Sequence, residues 1–165
     1  MRGMRSVVAA MALVMMPAVV AGQESGIAVG SAAPGADVET LDGKPINLDQ
    51  YLNEGPVLLQ FWATWCSNCK ALEPKINAAV ARHGGKVRVV AVAVSVNQSV
   101  ERIKAYRDRY QMKHDIVYDR KGWATDAYEV PATSYIVVVN ADRKVVYTGL
   151  GSDQDIEAAI AKAVK

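Results

Sequence analysis

Val57-Leu58-Leu59-Gln60-Phe61-Trp62-Ala63-Thr64-Trp65-Cys66-Ser67-Asn68-Cys69-Lys70 holds both cysteines of this 165-residue chain, directly after an apolar run. Val57–Trp62 reads as a buried strand, and Ser67–Arg82 as a helix with Leu72, Ile76, Ala79 and Val80 on its inner stripe, ended by Gly84-Gly85. A strand that runs through Trp-Cys into a helix puts the first thiol at a helix N-terminus. There the unpaired backbone N–H groups and the positive end of the helix dipole favour a thiolate. The second thiol, three positions on, lies one turn away and can open or close a disulfide with the first. A bridge over so small a loop constrains little of the unfolded chain, so it is a poor structural staple. A zinc site would need His83 and His114 as well, and neither stands at ligand spacing from the pair. The pattern reads as a redox site.

The N-terminus reads as an export signal. Arg2 and Arg5 precede Val7–Val20, an uncharged apolar stretch shorter than the roughly 20 residues of a comfortable membrane span. Val19-Val20-Ala21 then offers small residues for cleavage. Residues 1–21 are expected as a signal peptide; a retained anchor through residues 7–20 is the other reading. Export means an oxidising compartment, where a dithiol needs a dedicated electron partner. Without residues 1–21 the formal charge falls from +2 to 0, with 17 basic and 17 acidic residues. A neutral surface gives no reason to expect nucleic acid or anionic lipid as partner. Residues 22–36, rich in Gly, Ala and Ser, read as a flexible leader, and residues 37–165 as one domain.

Strands and helices alternate through that domain. Val38–Leu41 and Lys44–Leu48 flank Asp42-Gly43, a hairpin signal, and Pro45 confines the second strand to a sheet edge. Val87–Val96 is nearly continuous Val and Ala, as in a parallel strand covered on both faces. Asn97 or Ser99 caps a helix carrying Val100, Ile103 and Tyr106. Ile116–Tyr118 reads as a short strand and Trp123–Tyr128 as a short helix. Tyr135–Val139 pairs with Lys144–Thr148, and Ser152-Asp153-Gln154-Asp155 resembles a capping box opening a last helix through Val164. This order predicts an α/β fold with a mixed central sheet, helices on both faces and an N-terminal β-hairpin.

With its strand, its helix and Pro74, the segment Phe61-Trp62-Ala63-Thr64-Trp65-Cys66-x-x-Cys69-Lys70 resembles the active-site segment of the thioredoxin superfamily. The hairpin ahead of it, the Asp119–Gly122 turn and Tyr128-Glu129-Val130 resemble exported TlpA/ResA-like thiol–disulfide oxidoreductases. The resemblance implies a thioredoxin-like fold. It makes Cys66, the exposed thiol, the attacking nucleophile and Cys69 the resolving one. Trp65 becomes an apolar rim, or simply a half-buried aromatic at a strand end; Trp62 reads as core, and Pro74 as a kink in the helix. No organic cofactor is needed. It further implies protein disulfide or dithiol substrates, of the apocytochrome c or copper-site kind, and a membrane thiol–disulfide electron donor.

The chain departs from that pattern in two places. Gln60 stands where thioredoxin has a buried acid, and Leu72 where ResA-like proteins have a glutamate. Glu73, one position on, is the nearest candidate proton acceptor, or else a solvated helix-face carboxylate. The family also places a cis-proline opposite the cysteines. Pro131 is the expected occupant, while an ungapped alignment puts Ser134 there. Ser67-Asn68 carries no charge between the cysteines, which argues for a potential nearer thioredoxin, about −270 mV, than DsbA, about −120 mV. Two other uses of the thiols remain. A copper-delivery protein would use Cys66, Cys69 and His114. A thiol peroxidase would need a threonine where Ala63 stands, and Thr64 comes one residue too late.

Overall fold

The computed structural model describes residues 25–164. The expected signal peptide or anchor, residues 1–21, and the first part of the expected leader lie outside the described residues. Twelve elements follow in order: β1 (Asp37–Thr40), β2 (Pro45–Asn47), α1 (Asp49–Leu52), β3 (Val57–Trp62), α2 (Ser67–Arg82), β4 (Arg88–Val94), α3 (Val100–Tyr110), β5 (Asp115–Asp119), α4 (Trp123–Ala127), β6 (Tyr135–Val139), β7 (Val145–Gly149) and α5 (Ile156–Ala163). The strands form one mixed sheet in the order β2-β1-β5-β4-β3-β6-β7. β3 pairs parallel with β4, and β4 with β5; the other pairings are antiparallel. This is the expected mixed α/β fold. Among the described residues no helix is long and apolar enough to cross a membrane.

The apolar runs at the sheet centre explain why β3, β4 and β6 lie there. All six side chains of β3 are buried, and each large apolar one contributes about 1.5–3 kcal/mol relative to exposure. Leu58, Ile136 and Val138 meet Leu72 and Ile76 of α2 and Ile156 and Ile160 of α5 on one face. Phe61, Val92 and Val117 pack with Ile103 of α3 and Ala124 of α4 in the second cluster. β2 is the sheet edge, as Pro45 requires, and the Asp42-Gly43 turn has Gly43 at φ 80°.

Three local expectations need correction, and one alternative is resolved. Residues 25–36 are not a leader free of the core: Ile27, Ala33 and Ala36 are buried in it. The Ile27 N–H donates to the Tyr128 carbonyl and the Ala33 N–H to the Arg143 carbonyl, so this segment straps the sheet's far end. One helical turn, α1, follows the first hairpin where none was expected. Asp155 rather than Ser152 caps α5, accepting the Ala158 N–H at 3.0 Å. Of the two candidate caps of α3, Ser99 accepts the Arg102 N–H, while Asn97 takes a left-handed turn at φ 52°.

Tyr128 fixes the strap to the sheet. Its ring packs 5.5 Å from Phe61, and its hydroxyl donates to the Pro34 carbonyl at 2.8 Å. Tyr128→Phe keeps the ring and removes that bond, so it is expected to lower stability by about 1 kcal/mol and the melting temperature by about 2–4 °C at neutral pH. Burial also raises the Tyr128 hydroxyl pKa above its ordinary value of 10.0. The neutral form therefore contributes stability that is fully present below pH 10.0 and lost as the pH rises beyond it. Melting curves above that pH should fall more steeply for the native protein than for Tyr128→Phe; parallel curves would contradict this.

Candidate active site

β3 ends at Trp62, and three residues carry the chain to Cys66 at the head of α2. The Cys66 N–H donates to the Ala63 carbonyl at 3.1 Å, closing a turn. Cys66 is the N-cap of α2, with extended backbone at φ −83° and ψ 105°, and its Sγ accepts the Cys69 N–H at 3.1 Å. A sulfur in that position takes one of the N–H groups a helix start leaves unpaired, and it meets the positive end of the dipole of a 16-residue helix. Cys66 and Cys69 form a disulfide. Both are largely buried, so "exposed" is too strong for Cys66; at 8 % against 3 % it is the more open of the two.

Trp65 is 51 % exposed and forms one wall of a groove of about 420 Å³. Val94 and Val96, with Val130, Ala132 and Thr133 on the loop ahead of β6, also line it. The Trp65 indole N–H donates to the Val96 carbonyl at 2.9 Å, which sets the ring's direction. Trp62 is core, 5.3 Å from the Tyr106 ring, and burial raises the Tyr106 hydroxyl pKa. The Tyr110 ring packs tilted against Tyr106, centres 4.4 Å apart, and the Lys70 ammonium sits 5.0 Å from the Tyr110 ring centre.

The loop opposite departs from the expected cis-proline. All peptide bonds among the described residues are trans, and Pro131 is an exposed loop residue. Ser134 holds the place immediately before β6. It is buried, at φ 71°, and its N–H donates to the Phe61 carbonyl at 2.9 Å. The Ser134 hydroxyl accepts the Gly151 N–H, and its carbonyl accepts the Gln154 side-chain amide, both at 3.1 Å. A side-chain network from the α5 approach thus fixes this backbone where a ring would otherwise do so. Neither Ser134's network nor the groove was found from sequence, because both join segments far apart in the chain.

Carboxylates are absent from the expected places. Gln60 is 1 % exposed, on the same face of β3 as Leu58 and therefore beneath α2, with its Oε1 unpartnered among the described residues. Leu72 is fully buried in the apolar layer. Glu73 Oε1 lies 3.0 Å from His114 Nε2, in a pocket with Asn77, Tyr110 and Asp115 that neither cysteine lines. His114 is likewise turned to Glu73, and no group of three or more His, Cys, Asp or Glu able to hold a metal ion occurs among the described residues.

A disulfide at the head of a helix, beside an apolar groove and on this sheet, defines a thioredoxin-fold thiol–disulfide oxidoreductase. The sequence profile of the AhpC/TSA family matches residues 29–148, and the chain belongs to that family. It is 31% identical to the thiol-disulfide oxidoreductase ResA of Geobacillus kaustophilus over 82% of this chain and 78% of that one. It is 35% identical to ResA of Bacillus subtilis over 82% and 74%. Among solved structures, the thioredoxin domain of a Bacteroides vulgatus thiol-disulfide oxidoreductase superposes with a TM-score of 0.70 at 22% identity, covering 84% of this chain and 99% of that one.

Because the Glu73 carboxylate lies against His114, Glu73→Gln is expected to change the rate of protein disulfide reduction less than about twofold. A loss of about tenfold or more in an insulin-reduction assay would restore Glu73 as the proton acceptor.

Proposed function

We propose that this protein is an exported reductant of protein disulfides, with Cys66 as the attacking thiol and Cys69 as the resolving one. The observation that carries the reading is the N-cap placement of Cys66, whose sulfur already accepts the Cys69 N–H. An N–H bond and a helix dipole stabilise a thiolate more than a thiol, which favours the first sulfur as the nucleophile once the disulfide is opened. The reduced protein attacks a substrate disulfide through the Cys66 thiolate. A bond forms between Cys66 and one substrate sulfur as the substrate S–S bond breaks. Cys69 then attacks Cys66 in the mixed disulfide, restoring the Cys66–Cys69 bond. Two electrons pass to the substrate, and the Cys69 proton ends on the released thiols. With Gln60 and Leu72 in the places of acids, neither of those positions supplies a carboxylate for that transfer.

Direction and place rest on sequence. Ser67-Asn68 places no positive charge between the cysteines to hold the reduced form, which favours a reducing potential. Arg2, Arg5 and uncharged Val7–Val20 support export, with cleavage after Ala21 or retention as an anchor. In an oxidising compartment the dithiol is regenerated by a membrane thiol–disulfide donor, and its substrates are oxidised cysteine pairs of the kind found in apocytochrome c or copper-site proteins. The groove beside Trp65 suits an extended apolar segment flanking such a pair.

Cys66→Ser is expected to abolish insulin-disulfide reduction, and Cys69→Ser to accumulate mixed disulfides visible on a non-reducing gel. Near-normal turnover in either variant would refute the assignment.

A further inference from the structure

Gln98 ties the connection between β3 and α2 to the end of β4. Its Oε1 accepts the Thr64 backbone N–H at 2.9 Å, and its Nε2 donates to the carbonyl of Val94, the last residue of β4. β3 and β4 are parallel neighbours with Trp62 beside Ala93, so both bonds lie just past the strands' C-terminal ends. In the same loop the Val96 carbonyl accepts the Trp65 indole N–H. Thr64 and Trp65, the two residues before Cys66, are thus both tied to residues 94–98, and Gln98 uses each half of its amide once. Asn97, at φ 52°, turns the chain so that Gln98 points back to Thr64.

While the disulfide is closed, the covalent bond itself holds the cysteines at the head of α2. Once it opens, only non-covalent ties keep Cys66 where its sulfur can take the Cys69 N–H. We infer that Gln98 is a positioning residue for the attacking thiol, holding the Ala63–Cys66 turn in the thiolate-stabilising N-cap geometry of the reduced protein. This rests on Cys66 being that thiol. Only a side-chain amide of this length makes both bonds. Glutamate keeps the acceptor for Thr64 but loses the donor to Val94 and sets two acceptors against each other. Methionine keeps the length and loses both bonds.

The test uses the full chain reduced with a phosphine, which is then removed. Pulses of iodoacetamide are applied from pH 5 to 9, and peptide masses report Cys66 and Cys69 separately. The thiolate displaces iodide, so the rate follows the ionised fraction. The native protein should react at Cys66 first. Gln98→Met and Gln98→Glu should move the Cys66 titration upward by about one pH unit, slowing alkylation about tenfold at pH values below the native midpoint, and leave the rate at full ionisation unchanged. The oxidised variants should melt close to the native protein. An unchanged Cys66 titration in both variants overturns the inference. So does an equal loss of stability in oxidised and reduced forms, which would make Gln98 a general structural tie. Alkylation of Cys69 ahead of Cys66 in the native protein overturns instead the reading on which it rests.

Discussion

The hydrogen bond from the Cys69 N–H to the Cys66 sulfur is the contact that the rest of the fold exists to hold. It forms because α2 begins at the residue after Cys66, and α2 begins there because β3 delivers the chain to that point. β3 in turn is held on both sides, parallel to β4 and antiparallel to β6, with every side chain buried. Two apolar layers grip that strand and the helix that follows, so the start of α2 cannot drift relative to the sheet. A helix start in this setting has fixed N–H donors and little water to compete with them. The chemistry of the first sulfur follows from that rigidity.

The surroundings of the second sulfur are plainer. Gln60 cannot titrate, Leu72 is packed against Leu58 and Ile76, and the Glu73 carboxylate turns to His114. One residue of helix rotation, about 100°, separates Leu72 from Glu73 and sends the carboxylate to a different pocket. A site built this way favours a thiolate at Cys66, and neither Gln60 nor Leu72 offers Cys69 a carboxylate. The backbone opposite is also held differently, by Ser134 bonded to Phe61, Gly151 and Gln154.

The strand–Cys-x-x-Cys–helix unit was legible in the sequence because its signals are local and strong. An apolar run interrupted only by Gln60, a helical stripe at Leu72, Ile76 and Ala79, and a closing Gly84-Gly85 together admit one reading. The edge position of Pro45 and the Asp42-Gly43 turn were legible for the same reason. The strap of residues 25–36 was not: its buried apolar residues are few and widely spaced, and its bonds run to the Tyr128, Arg143 and Val145 carbonyls, about a hundred residues away. An ungapped alignment offers Ser134 for the place opposite the cysteines, but only the pairing of β6 with β3 puts it there in preference to the exposed Pro131. Gln98 carried one usable signal. It follows the C-terminal end of a parallel strand, where functional residues of α/β sheets gather.

The measurement that bears most directly on the account is the reduction potential of the Cys66–Cys69 pair, from equilibration of the purified protein in defined thiol–disulfide buffers. A value more negative than roughly −220 mV is predicted, as a reductant with no charged residue between its cysteines requires. A value above roughly −150 mV would make the protein an oxidant or isomerase and contradict the proposed direction of electron flow.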